Sequence, residues 1–144
     1  MLPFTVERID HVVFRVRDLA ASVAFYGRVL GCHVVRERPD LGLVHLRAGA
    51  SMVDLVSIDG RLGRVGGEGP KAEGRNVDHL CLRVEPFDEQ RIVAHLAEHG
   101  VVPKGPASTN FGAEGGKGSP CTSATRTATS SNSKGRPMAS TGDV

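Results

Sequence analysis

Ile9-Asp10-His11-Val12-Val13-Phe14-Arg15-Val16 and Val77-Asp78-His79-Leu80-Cys81-Leu82-Arg83-Val84 are two copies of one pattern. Four positions are identical and the other four are apolar in both copies. The stretch over 6–17 is rich in β-branched residues with partial alternation, which reads as a strand. A helix is expected after each copy. In the first, Asp18 is placed to cap it, Leu19, Val23, Tyr26 and Leu30 recur at helical spacing, and Gly31 is placed to end it. In the second, a helix runs from about Asp88 to His99, with Ile92, Val93 and Leu96 inward and Gly100 as its stop. Repetition at this scale signals a duplicated supersecondary unit.

Three short strands are expected beyond the first helix, at 32–38, 42–48 and 51–58, separated by turn signals at Pro39-Asp40 and Gly49. Residues 1–59 therefore form a module of strand, helix, strand, strand, strand. Residues 60–75 are a Gly-rich connector. No strand-to-helix context surrounds them and no Gly-Lys-Ser/Thr occurs, so they read as a linker or lid rather than a phosphate cradle. The second module, 76–113, offers one further strand candidate, Val101 to Pro103, and is truncated beside the first. The expected class is α+β, with paired βαβββ modules of which the second is partial.

Composition limits the function. Hydrophobic residues make up 40% of the 144 positions and charged residues 24%, the balance of an ordinary globular protein. A net charge of +2 gives no electrostatic case for nucleic acid or an anionic membrane. The opening residues lack a basic flank with an apolar core, and no apolar run approaches spanning length. Cys32, Cys81 and Cys121 have no patterned spacing and read as reduced thiols in a cytoplasm.

His11 and His79 hold the same position in the two repeats. Duplicated modules that pack about a pseudo-twofold axis can bring such residues together, and two neutral imidazoles in a cleft suit Zn, Ni, Fe or Mn. A lone strand His is ordinarily a hydrogen-bonded core residue, but equivalent placement in both copies favours a site. Asp54 lies among apolar strand residues, where a carboxylate is costly unless paired or metal-bound; the alternative is a strand edge facing water. His95 and His99 have a helical spacing that can bind metal, yet both fall off the inner face and read as solvated. His33 and His45 carry no partner pattern. Arg15 and Arg83 are repeat-equivalent and share strand parity with the two histidines, so either an anionic substrate or a surface salt bridge accounts for them.

Ile-Asp-His-Val-Val-Phe-Arg-Val-Arg-Asp-Leu, followed by Ser-Val-Ala-Phe-Tyr-Gly-Arg-Val-Leu-Gly, resembles the first strand and helix of the vicinal oxygen chelate superfamily, and Asn-Val-Asp-His-Leu-Cys-Leu-Arg-Val resembles the start of its second module. The resemblance covers about residues 6–113. It implies paired βαβββ modules around a cleft, a divalent metal held by His11 and His79, a small-molecule substrate and a homodimer. Asp54 falls where glyoxalase I-type members carry a Glu on the fourth strand, as a ligand or as the base. The family's remaining ligand, a Glu on the last strand in a Gly-Asn-x-x-Glu-Leu-like context, has no counterpart here. The expected function is a glyoxalase I-like lyase or isomerase working through an enediolate. An extradiol dioxygenase using two His and one carboxylate on Fe(II) is the second reading. A non-catalytic binding protein of the drug-resistance type is the third.

Composition changes after Phe111, and Gly118 to Val144 contains no Leu, Ile, Phe, Tyr or Trp. Residues 114–144 read as a disordered tail, because they cannot bury enough apolar area to offset ordering. A shifted reading frame is the sharper alternative. GC-rich codons for Gly118 to Arg136, read one base earlier, can encode a peptide containing DPDGNVVEL, two strands around an Asp-Gly turn. The nucleotide sequence of that stretch, read in the shifted frame, should yield something close to that peptide; an unrelated translation leaves a genuine extension.

Overall fold

The computed structural model describes residues 3–69, 77, 79–103 and 121–123. Chain order is β1 (His11–Val16), α1 (Leu19–Arg28), β2 (His33–Arg38), β3 (Leu43–Ala48), β4 (Ser51–Ser57), α2 (Arg61–Val65), β5 (Cys81–Arg83), α3 (Glu89–Glu98) and β6 (Cys121–Ser123). The helix α1 starts where its side chains direct. The Asp18 carboxylate accepts from the Ala21 backbone N–H at 2.8 Å, satisfying one of the donors left open at a helix N-terminus. Past its C-cap at Val29, Gly31 takes a φ of 69°, a left-handed conformation that glycine adopts without a Cβ penalty.

The first five elements are one βαβββ module. Its four strands lie in the order β1-β4-β3-β2, with β1 parallel to β4 and the other neighbours antiparallel. Alternation along the strands divides the sheet into two faces. Val16, Val44, Leu46, Val53 and Leu55 turn to one side and form the core with Phe25 and Tyr26 of α1. Phe14 joins them, its ring 6.4 Å from that of Tyr26. The opposite face carries His11, Val13 and Arg15 of β1, Met52 and Asp54 of β4, and His45 of β3.

The later elements differ from the sequence expectation in several places. The linker contains the helix α2, where Gly63 is buried and a Cβ would meet the Ser57 carbonyl oxygen at 1.9 Å. In the second module the repeat of β1 forms a strand only over Cys81–Arg83, and Val101 to Pro103 is not a strand. Proline lacks the N–H that a ladder needs. Cys121–Ser123, within the stretch read as unstructured, pairs antiparallel with β5, because a backbone ladder requires no apolar side chain. Cys81 is disulfide-bonded, unlike the reduced thiol expected, whereas Cys32 is free and buried. The expectations for residues 104–120 and 124–144 lie outside the described residues. Among the described residues no helix is long and apolar enough to cross a membrane.

The second half leans on the first. Leu80 and Val101 pack against the first module's core, and His95 Nε2 of α3 donates to the Val29 carbonyl at 2.9 Å. His95 is thus exposed but tied across the modules, not simply solvated. Leu46, fully buried between sheet and helix, is the test of this core. Leu46→Ala should cost about 2–5 kcal/mol through lost transfer energy and a residual cavity, read as a lower midpoint in urea unfolding.

Candidate functional site

The sheet face turned away from α1 is built by the register of β1, β4 and β3. β1 places His11 opposite Met52 and Val13 opposite Asp54; β3 places His45 opposite Asp54 on its other side. Asp54 therefore sits in the middle of the sheet with a neighbour on each flank. It is the buried charged residue of the described core, at 5% exposure. Burial of a carboxylate without a partner would cost several kcal/mol, on the order of the desolvation of a charged group. The partner is His45, whose Nδ1 lies 2.8 Å from Asp54 Oδ1. Of the two readings for Asp54, the water-facing edge is excluded by this burial.

His11 has a carboxylate of its own. Its Nδ1 is 2.9 Å from Asp10 Oδ1. That hydrogen bond, aided by the charges of Asp54 and Asp10 against a smaller desolvation, raises the His11 pKa above its ordinary value. The same bond lowers the Asp10 pKa. An Nδ1–H given to a carboxylate leaves Nε2 with its lone pair. This is the arrangement commonly found behind metal-binding and proton-accepting imidazoles. His11 and His45 both have it, on one face of one sheet.

The remaining expected residues are placed differently. His79 is exposed just before β5, in the separate two-stranded sheet. Arg83 is exposed at the end of the same strand. Among the described residues no group of three or more His, Cys, Asp or Glu side chains is gathered closely enough to hold a metal ion. His11, Asp54 and His79 are therefore not brought into one cluster. The donor chemistry at His11 nevertheless suits a cation, since its free nitrogen is oriented by a carboxylate. His95 of α3 and His99 at its C-cap pack edge to face, their ring centroids 4.7 Å apart.

Arg15 has a role that the sequence did not suggest. Its guanidinium donates to the carbonyls of Gly63, Gly66, Gly67 and Glu68 at 2.6–3.2 Å, clasping the end of α2 and the turn after it. A Cβ on Gly66 would come within 2.7 Å of that guanidinium, so the close approach depends on glycine. The planar fork of five donors is what allows one side chain to serve four acceptors.

His45 is the residue that sequence reasoning missed. The signal was present in the turn. Ala48 pairs with Ser51 across Gly49-Ala50, and counting outward from a two-residue turn puts His45 opposite Asp54.

A family model described as Glyoxalase/Bleomycin resistance protein/Dioxygenase superfamily matches residues 8–115. The chain belongs to this superfamily. Among curated proteins none matches. Solved structures do. A virulence protein from Salmonella typhimurium is 24% identical with a TM-score of 0.60, covering 78% of this chain and 83% of its own. The trypanothione-dependent glyoxalase I of Leishmania major is 25% identical with a TM-score of 0.54, over 74% and 76% of the two chains. Lactoylglutathione lyase from Agrobacterium tumefaciens is 17% identical with a TM-score of 0.52, over 69% and 75%. The βαβββ module of this superfamily member thus has its fold in common with enzymes and with a virulence protein.

Replacing Arg15 by Met should release the segment after α2. Trypsin cleavage after Arg64, followed by mass spectrometry, should then speed up at least about tenfold, since several charge-assisted hydrogen bonds are lost together. Arg15→Lys should recover only part of the protection.

Proposed function

We propose that this chain is a metal-dependent lyase or isomerase of the glyoxalase I type, acting on a small molecule with two adjacent oxygens. The observation that carries the reading is the pair of carboxylate-oriented imidazoles on the open face of a βαβββ module, in a chain that belongs to the superfamily. His11 and His79 are the proposed ligands, for Zn, Ni, Fe or Mn, within one chain or across a homodimer. A divalent cation there would polarise the two oxygens and lower the cost of developing negative charge. Of the two roles open to Asp54, ligand and participant in proton removal, the second fits its contact with His45. Arg83 is assigned to an anionic part of the substrate, and Arg15 to shaping the cleft through the segment it clasps.

The protein's own residues do the rest of the chemistry. Carbon-bound hydrogen beside a carbonyl leaves as a proton. Its bonding pair moves into the carbon–carbon bond and onto the carbonyl oxygen, giving an enediolate. A base on the sheet face takes the proton and returns it to one of the two carbons.

Two measurements test this. His11→Ala and His79→Ala should each remove bound divalent metal by elemental analysis, and unchanged metal content would sink the ligand assignment. Metal-loaded protein should exchange the carbon-bound hydrogen of the lactoyl group of S-lactoylglutathione into D2O, seen by proton NMR. Oxygen uptake with a catechol would instead favour ring cleavage and overturn the reading.

A pH consequence follows from Asp10. Because its hydrogen bond raises the His11 pKa, protons compete with a cation up to a higher pH than at an unpaired histidine. Asp10→Asn should move the midpoint of metal uptake to lower pH. It should also weaken binding at high pH roughly tenfold, the usual scale for loss of an orienting partner.

A further inference from the structure

We infer that His45 is the proton-accepting group of this sheet face and that Asp54 is its positioning carboxylate. The inference rests on the enediolate reading above and names the atom that carries out its central step. Asp54 is too deeply set to meet a substrate, its side chain being 8% exposed, while the His45 ring is 28% exposed. Asp54 Oδ1 accepts from His45 Nδ1 at 2.8 Å. A carboxylate accepts, so Nδ1 carries the hydrogen and Nε2 keeps its lone pair. The neighbours of His45 along β3, Val44 and Leu46, are both buried on the α1 side, which puts the imidazole on the face that holds His11.

The spacing suits a small substrate. β4 lies between the strands that bear His11 and His45, and neighbouring strands are about 4.8 Å apart. The two Cα positions are therefore on the order of 10 Å apart across the sheet, offset along β4 by the two residues from Met52 to Asp54, and the His45 ring leans toward β4 through its bond to Asp54. A molecule with its oxygens beside His11 presents its adjacent carbon toward β3. His45 Nε2 takes the proton from that carbon, and the electrons of the broken C–H bond pass to the enediolate. The imidazolium formed holds its Nδ1–H on the Asp54 carboxylate, whose charge it then neutralises. Return of the proton from Nε2 completes the step with nothing oxidised or reduced. An orienting carboxylate behind a proton-accepting histidine is the same logic by which an acid fixes the tautomer in hydrolase triads.

The test uses full-length protein loaded with Ni or Zn, S-lactoylglutathione in D2O as the probe, and protein labelled with 15N at histidine. His45→Gln should lower lactoyl C–H exchange about 10²–10⁴-fold, the usual scale for general-base loss. His45→Ala should recover part of the rate when imidazole is added. Asp54→Asn should lower the rate while its amide donates to Nδ1, moving the hydrogen of His45 to Nε2 in the nitrogen spectrum. Full exchange in His45→Gln overturns the inference and leaves the enediolate reading standing. Absence of exchange in the wild-type protein overturns both. The spectrum is independent of turnover and of variant folding: a wild-type His45 with its hydrogen on Nε2 overturns the inference directly.

Discussion

Six consecutive residue pairs join β1 to β4 in parallel, from His11–Met52 to Val16–Ser57. Everything else in the described first module depends on that ladder. A parallel pair needs a long crossover, and α1 with β2 and β3 supplies it. Once β4 returns beside β1, the even-numbered residues of β1 must face α1 and the odd-numbered ones must face away. His11, Val13 and Arg15 are thereby committed to the open side, beside Met52 and Asp54. The core on one face and the polar residues on the other are consequences of one pairing.

The energetics of the open face centre on a buried charge. Asp54 is flanked by strands on both sides and compensated by His45 rather than by Arg15, whose guanidinium is engaged by four carbonyls. Removing one partner of a buried pair is costly because the other is left uncompensated, so such an arrangement adds little net stability over an apolar core.

Much of this was legible in the sequence. The pattern from Ile9 to Gly31 placed β1 and α1, and the turn signals at Pro39-Asp40 and Gly49 bounded β2, β3 and β4 to within a residue or two. Those elements are set by local patterning, which a sequence displays. The helix α2 was not legible, because glycines at 63, 66 and 67 argue against helix and the restraint comes from Arg15, distant in the chain. The second copy of the repeat formed only a three-residue strand, so similarity of sequence did not carry over into equal pairing. His45 was overlooked for a different reason. It does not recur between the two copies of the repeat, and its pairing with Asp54 is set by the hairpin's arithmetic.

That hairpin has a bearing on how the module can vary. Ala48 and Ser51 close a turn of two residues, with Gly49 at a φ of 61°. Loop lengths elsewhere in a fold drift freely, since surface insertions cost little. Here a single added or deleted residue on one side of the turn that slips the pairing by one position has a different effect. A one-position slip reverses the face of every side chain on the shifted strand. His45 would rotate into the apolar layer against α1, a valine or leucine would emerge beside Asp54, and the buried carboxylate would be stranded. The length of this turn is therefore under the same constraint as the identity of the two residues it brings together.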